Sequence, residues 1–173
     1  NFSLTDAELD LITTTGLITI GVSTNTGGIM IGTDGALTQG AKNFAFVTDG
    51  SIAVGANNFT TTGNVTVTAD AGGNATGAIT TGAGVVAGNL LTASAAQGIA
   101  LNTNATSLNL TNTTSGNVTI AETSGIDLTG VSQSVGNFSL TTSGAITQTG
   151  SITVSGTSSF TAGSNLITLT DSS

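Results

Sequence analysis

The sequence predicts an all-β fold: a right-handed parallel β-helix of about eight rungs, with one short helix near the N-terminus. Three observations predict it. Apolar–polar–apolar cores of four residues recur along the whole of residues 1–173. Gly, Asn and Ser stand at the joints between them. Aromatic residues are few, with six Phe and no Trp or Tyr, whereas sandwich cores usually use more of them.

The chain opens on its one helical signal. Thr5-x-x-Glu8 is a capping box, in which each side chain can bond the other residue's backbone N–H. Leu4 and Leu9 are spaced as a hydrophobic staple. Asp6 and Glu8 would sit in the first turn, where the helix dipole favours negative charge. A helix over residues 6–12 follows, with Thr13–Thr15 and Gly16 ending it. The competing reading is a strand with Asp6, Glu8 and Asp10 on one face.

Strand cores follow in order, each with the period of two of a half-buried strand. They begin with Leu17–Ile20, Ile29–Gly32, Phe44–Val47, Ile52–Gly55 and Val65–Thr68. Ile99–Asn102, Leu108–Thr111, Val118–Ala121 and Ile126–Thr129 continue the series. Phe138–Thr141, Ile152–Ser155 and Ile167–Thr170 complete it. Longer echoes overlie these cores. Asn1–Thr5 returns at Asn137–Thr141, Gly35–Gln39 at Gly144–Gln148, and Gly63–Thr66 at Gly116–Thr119. The second echo fits coils of about 22 residues.

An antiparallel sandwich or barrel is the competing architecture for many short strands. Strong hairpin dipeptides are scarce, chiefly Asp34-Gly35 and Asp49-Gly50, and the varied joints suit corners that turn without reversing. Asn beside Gly at the corners suggests left-handed turns and stacked Asn ladders. Rungs at about 4.8 Å would make a rod on the order of 40 Å long. No polar cap shows at either end, so the chain reads as a piece of a longer protein or of an end-to-end stack.

Composition narrows the function. Lys42 is the single basic residue, against nine acids, and the net charge is −8. One cation cannot neutralise a phosphate backbone, so nucleic acid is excluded as a partner. Anionic membrane surfaces are disfavoured for the same reason, and no apolar run approaches the ~20 residues of a membrane span. With no His or Cys, nucleophilic triads and zinc sites lack their residues. The expectation is a chain that is not an enzyme.

Three weaker sites remain. Paired carboxylates could act on a polysaccharide, the pairs being Asp34 with Asp49 and Glu122 with Asp127. Calcium could take hard oxygen ligands, with Asp6, Glu8, Asp10 and Asp70 the candidates; no cofactor is otherwise expected. Thr-x-Thr pairs at Thr66/Thr68, Thr111/Thr113, Thr147/Thr149 and Thr168/Thr170 could form an ice-binding face if the rung spacing were constant. The plainer readings are solvated turn acids and β-branched strand surface.

Several stretches resemble a known family. They are Leu4–Ile12 with Leu17–Gly21, Gly136–Thr141 with Gly144–Gln148 and Ser159–Gly163, and Asn89–Ala95 leading to Gly98–Leu101. These resemble the strand repeats of filamentous-haemagglutinin-like adhesins, large bacterial exoproteins of the two-partner-secretion type. The resemblance implies a right-handed β-helical shaft, extracellular, secreted or displayed on the bacterial surface. It further implies a structural or adhesive role, with neighbouring β-helix segments or identical subunits as partners and any receptor engaged through other regions. No distinct receptor-binding module is visible, which favours shaft over adhesive tip. A self-assembling filament or sheath subunit is the alternative.

Overall fold

A computed structural model describes residues 4–170. Helix α1 (Asp6–Asp10) precedes β1 (Leu17–Val22), β2 (Ile29–Ile31), β3 (Leu37–Thr38), β4 (Asn43–Thr48) and β5 (Ile52–Val54). Then come β6 (Phe59–Thr60), β7 (Val65–Thr68), β8 (Ile79–Thr81), β9 (Val85–Ala95) and β10 (Ile99–Asn112). The last are β11 (Val118–Glu122), β12 (Ile126–Gln133), β13 (Phe138–Thr142), β14 (Ile146–Gln148), β15 (Ile152–Val154) and β16 (Ser158–Thr161).

The chain is a parallel β-solenoid of three walls. The first wall stacks β1, β4, β7, the end of β9, the end of β10, β12 and β15, all in parallel. The second stacks β2, β5, β8, the start of β10, β11, β13 and β16, also in parallel. The third runs through Leu37, Phe59, Val86, Thr103, Glu122 and Thr142. An antiparallel sandwich is thereby excluded.

On the first wall one column reads Ile20, Phe46, Val67, Ala93, Leu110, Val131 and Ile152. From residue 20 to residue 152 are 132 residues in six steps, or 22 per turn. The solenoid has about six turns where eight were expected. The repeat length was right; the error lay in dividing the whole chain by it, because α1, its lead-in and the C-terminal tail add no turns. Six turns at about 4.8 Å make a rod of roughly 29 Å.

Inside the tube, like stacks on like. The second wall places Ile29, Ile52, Ile79 and Ile99 in one column, followed by Val118 and Phe138. From Ile52 to Phe138 this column is fully buried. Each such side chain contributes about 1.5–3 kcal/mol by leaving water. Phe44, Phe46 and Phe59 fill the second turn together, with ring centroids 5.0–6.1 Å apart.

Helix α1 forms with the expected capping box, but it ends at Asp10 instead of residue 12. Leu9 is the helix's buried residue, and Leu11 at the C-cap already points into solvent. Leu4 and Leu9 both pack on the apolar cluster. The strand alternative for residues 6–10 is overturned.

On one of the three walls the helix also corrects the expectation of an uncapped N-terminal end. β3 is the first strand of the third wall and pairs only with β6. Its other edge is satisfied by α1: Thr38 N–H donates to Asp6 Oδ1 at 2.6 Å. Lys42 Nζ donates to Leu9 O at 2.7 Å, a cation on the carbonyl end of the helix. On this wall α1 therefore takes the place of a preceding rung.

Three further expectations change. Ile99–Asn102 and Leu108–Thr111 belong to one strand, β10, which bends from the second wall through the third to the first without breaking; its register against β12 shifts at Leu108/Asn109, within the first wall. Ile167–Thr170 forms only a single bridge, Ile146 with Ile167, because that segment is paired on one side. The echoes do not share walls: Val65 lies on the first wall and Val118 on the second. What repeats is a strand with its corner, not a whole coil. Of the first echo, Asn1–Ser3 lies outside the described residues, as does Asp171.

Candidate functional site

The polar groups that sequence reasoning offered as sites lie at corners (Asp49, Asp70, Glu122), on α1 (Asp6, Glu8, Asp10) and on a strand face (Asp127). Loop closure explains those at the corners. Where the chain leaves one wall for the next, backbone groups lose their ladder partners and must find others. At Thr48-Asp49-Gly50, Thr61-Thr62-Gly63 and Thr142-Ser143-Gly144 a buried Thr solves this. Its Oγ1 accepts from the Gly N–H two residues on, at 3.2, 3.0 and 3.0 Å. The same hydroxyl donates to a carbonyl of the preceding rung: Asn25 O at 2.7 Å, Lys42 O at 2.6 Å, and Ser124 O. This Thr-x-Gly clasp was visible in the sequence but not recognised, since Thr is everywhere in the chain.

Glu122 occupies the equivalent place one rung before Thr142. It is 4% exposed and faces inward on the third wall. Its Oε1 accepts from Ser124 N–H and Oγ at 2.9 Å, and its Oε2 from Ala105 N–H at 3.0 Å. Asp127 points outward, where Thr147 and Thr149 hydroxyls donate to it at 3.1 and 2.6 Å. The second proposed acid pair is therefore split, with Glu122 turned inward on the third wall and Asp127 outward on the first. A shallow groove along Val85, Asn102, Ala121, Thr123 and Ser143 has Glu122 as its one acidic lining residue.

The calcium candidates fall in two separate places. Asp6, Glu8 and Asp10 lie on α1, each already accepting from the protein. Asp6 Oδ1 takes Thr38 N–H and Gln39 Nε2 (2.8 Å), and Asp10 Oδ1 takes Gln39 Nε2 at 3.3 Å. Glu8 Oε2 takes Thr5 N–H at 2.8 Å and its hydroxyl at 2.9 Å. The backbone bond first and the hydroxyl second hold the Glu8 carboxyl below its ordinary value. Asp70, in the left-handed region at φ 60°, closes its own loop by accepting from Ala75 N–H at 2.8 Å. Asp49, from the first proposed acid pair, clasps the same loop through Gly72 N–H (2.9 Å) and Asn74 Nδ2 (2.7 Å). Among the described residues no three acids gather as a metal site.

The Asn ladders exist in a different form from that expected. Left-handed backbone at the corners is carried by Gly, as at Gly98, Gly116 and Gly136, and never by Asn among the described residues. The Asn that follows extends its side chain to the next rung. Asn117 Oδ1 accepts from Asn137 N–H at 2.9 Å, and Asn137 Oδ1 from Thr157 N–H at 3.0 Å. Amide meets amide once, where Asn89 Nδ2 donates to Asn64 Oδ1 at 3.2 Å. Orphan backbone N–H groups take precedence over side-chain stacking because a buried unpaired donor costs more.

The fold and its corners define the class: a repeat protein of the parallel β-solenoid type. A family described as repeats of unknown function (DUF5649) matches residues 115–173, about a third of the chain. That stretch is the most regular, with register offsets of 20 or 21 residues, as in Val118 to Phe138 and Val131 to Ile152. Earlier turns vary more, from 17 (Leu91 to Leu108) to 27 (Ile52 to Ile79). No curated protein and no solved structure matches the chain.

Proposed function

We propose that this chain is a shaft segment of a secreted or surface-displayed bacterial β-helical protein of the filamentous-haemagglutinin-like kind. Its coil is right-handed, as parallel crossovers favour. Its role is structural and non-catalytic: length, stiffness and repetition are the function. One observation carries this reading. The corner side chains Thr48, Thr61, Thr142, Glu122, Asn117 and Asn137 are all spent on tying one rung to the next. Excising Val118–Asn137, one turn by register, tests it in the parent protein. A shaft retains folding, surface labelling on intact cells and function with one rung fewer. Loss of a specific binding activity with the fold intact would refute the reading.

End-to-end assembly is the second reading, favoured by where apolar surface is left open. Leu17, Val22 and Met30 are exposed at one end of the described rod, and Leu166, Ile167 and Leu169 at the other. Between them Val135 is the one large apolar side chain comparably exposed among the described residues. Sedimentation across a concentration series tests it: rods that lengthen with concentration, and that Leu17→Lys dissolves, support a filament. A monomer at every concentration ends it.

A further inference from the structure

The second wall keeps one open strand edge at each of its ends. Among the described residues β2 pairs only with β5, and β16 only with β13. The two open edges face opposite ways along the rod, so β16 of one copy can pair in parallel with β2 of another, as β13 pairs with β16. The columns of the wall continue in register across such a joint. Ser158 ends the inward column that begins at Ile29, and Phe160 ends the one that begins at Ile31. Ile29 and Phe160 are only half-buried at these ends, and each would gain a covering rung. No strand from β13 to β16 carries a charge, so this end approaches without repulsion from a chain of net charge −8.

Helix α1 stands in the way of that joint. It lies on the open side of β3, which follows β2 in the same turn, and Asp6 takes the place of a strand acceptor for Thr38 N–H. A helix is about 10–12 Å across, whereas an added rung must come to about 4.8 Å. A copy whose β16 reaches β2 runs on at once into Ala162, which follows Thr142 on the third wall. There it meets the helix, and the two cannot occupy that end together. The helix is also lightly held. Its five residues are too few to be stable alone, and Leu9 is its one buried side chain. The rest of its attachment is polar, through Asp6 and Asp10 to Gln39 and through Leu9 O to Lys42.

We propose that the open edge of β2 docks β16 of a second copy, and that α1 is an autoinhibitory stop on that joint. The inference rests on the end-to-end reading above and adds which strands meet and what limits them. The native chain joins only through the fraction of molecules in which α1 is off its seat. Its apparent affinity for a second copy is reduced by that fraction, and loosening α1 restores it.

The chain has no cysteine, so an engineered disulfide can report the joint. Met30 and Ser159 share the outward column of the second wall and stand at its opposite ends. Met30→Cys with Ser159→Cys can therefore bridge only between copies, at the separation of adjacent strands, which a disulfide accepts. Oxidation of this full-length double variant should give a ladder of cross-linked species at high concentration. Adding Asp6→Ala or Leu9→Asp should give the same ladder at a roughly tenfold lower concentration. Faster hydrogen exchange at Thr38 N–H reports that α1 has left its seat, and circular dichroism confirms the fold. Asp6→Ala, which leaves the core untouched, serves if Leu9→Asp does not fold. An unchanged concentration dependence with Thr38 exchanging fast overturns the stop and leaves end-to-end assembly standing. Rods that lengthen in sedimentation without a Met30–Ser159 bridge overturn the docking edge. Neither rods nor bridges in any variant ends the end-to-end reading as well.

Discussion

Thr61→Val is the sharpest test of the corner clasp. The substitution keeps shape and β-branching and removes only the hydroxyl. Thr61 Oγ1 accepts from Gly63 N–H at 3.0 Å and donates to Lys42 O at 2.6 Å, with Gly40 O also within 2.8 Å. The side chain is buried, so water cannot replace it. Losing the donated bond costs about 0.5–1.5 kcal/mol, and stranding the Gly63 donor about 1–3 kcal/mol more. The sum, about 1.5–4.5 kcal/mol, is a large part of a typical stability of about 5–15 kcal/mol. For a chain of this length that lowers the melting temperature by roughly 5–15 °C. Urea unfolding followed by circular dichroism measures it, with Thr66→Val on the outer surface as the control. Hydrogen exchange at Gly63 reports whether the loss is local. A midpoint for Thr61→Val equal to that of Thr66→Val would refute the clasp as a source of stability.

Ile120→Asp and Phe138→Asp each place an unpaired charge in the tube at a buried position, at a cost of several kcal/mol; loss of the thermal transition is expected, and its full retention would contradict their inward placement. Gly136→Ala should destabilise by about 1–3 kcal/mol, because φ is 101° and a Cβ would lie 2.1 Å from Gly116 O; an unchanged urea midpoint would count against the corner geometry. The Glu8 carboxyl titrates below its ordinary value near 4.5, so its capping contribution is complete above about pH 4.5 and is lost as pH falls through the lowered value. Amide shifts of Thr5 and Leu9 should follow that titration in the native chain and stay flat in Glu8→Gln; a midpoint above 4.5 would reverse the assignment.

Most of the fold was legible because two signals were strong. Period-two cores such as Phe44–Val47 and Val118–Ala121 mark strands directly, and Thr5-x-x-Glu8 marks the helix start. The corners were harder to read. Gly63 two residues on is the local mark of Thr61, but Thr-x-Gly recurs widely in this chain, and the bond that makes Thr61 a clasp goes to Lys42 O on the rung a turn away. The same limit hid β3 and β6, two-residue strands whose identity depends on each other. It also hid the cap on the third wall, because Asp6 and Thr38 are 32 residues apart. Candidate sites suffered most. A carboxylate looks like a ligand until its donors are known, and for Asp6, Asp49 and Asp127 those donors lie a turn or more away along the chain.

That point explains the acids of a chain with so few charges. Asp6, Glu8, Asp10, Asp49, Asp70, Glu122 and Asp127 each accept at least one hydrogen bond from the protein. Five of them, Asp6, Glu8, Asp49, Asp70 and Glu122, accept from backbone N–H groups at the cap or at a corner, where the ladder supplies no carbonyl. A carboxylate is the stronger acceptor for such a donor, since charge-assisted bonds are roughly twice as strong as neutral ones. Thr and Asn suffice where the corner is short and regular, as in the 20-residue turns after Val118. Carboxylates appear where it is not, at the long loop after Asp70 and at the start of the third wall; Glu122 is the exception, a carboxylate in a regular turn. The acids of α1 and of the Asp49–Asp70 loop thus mark departures from regular coiling, whereas Glu122 and Asp127 stand within the regular turns and tie neighbouring rungs there.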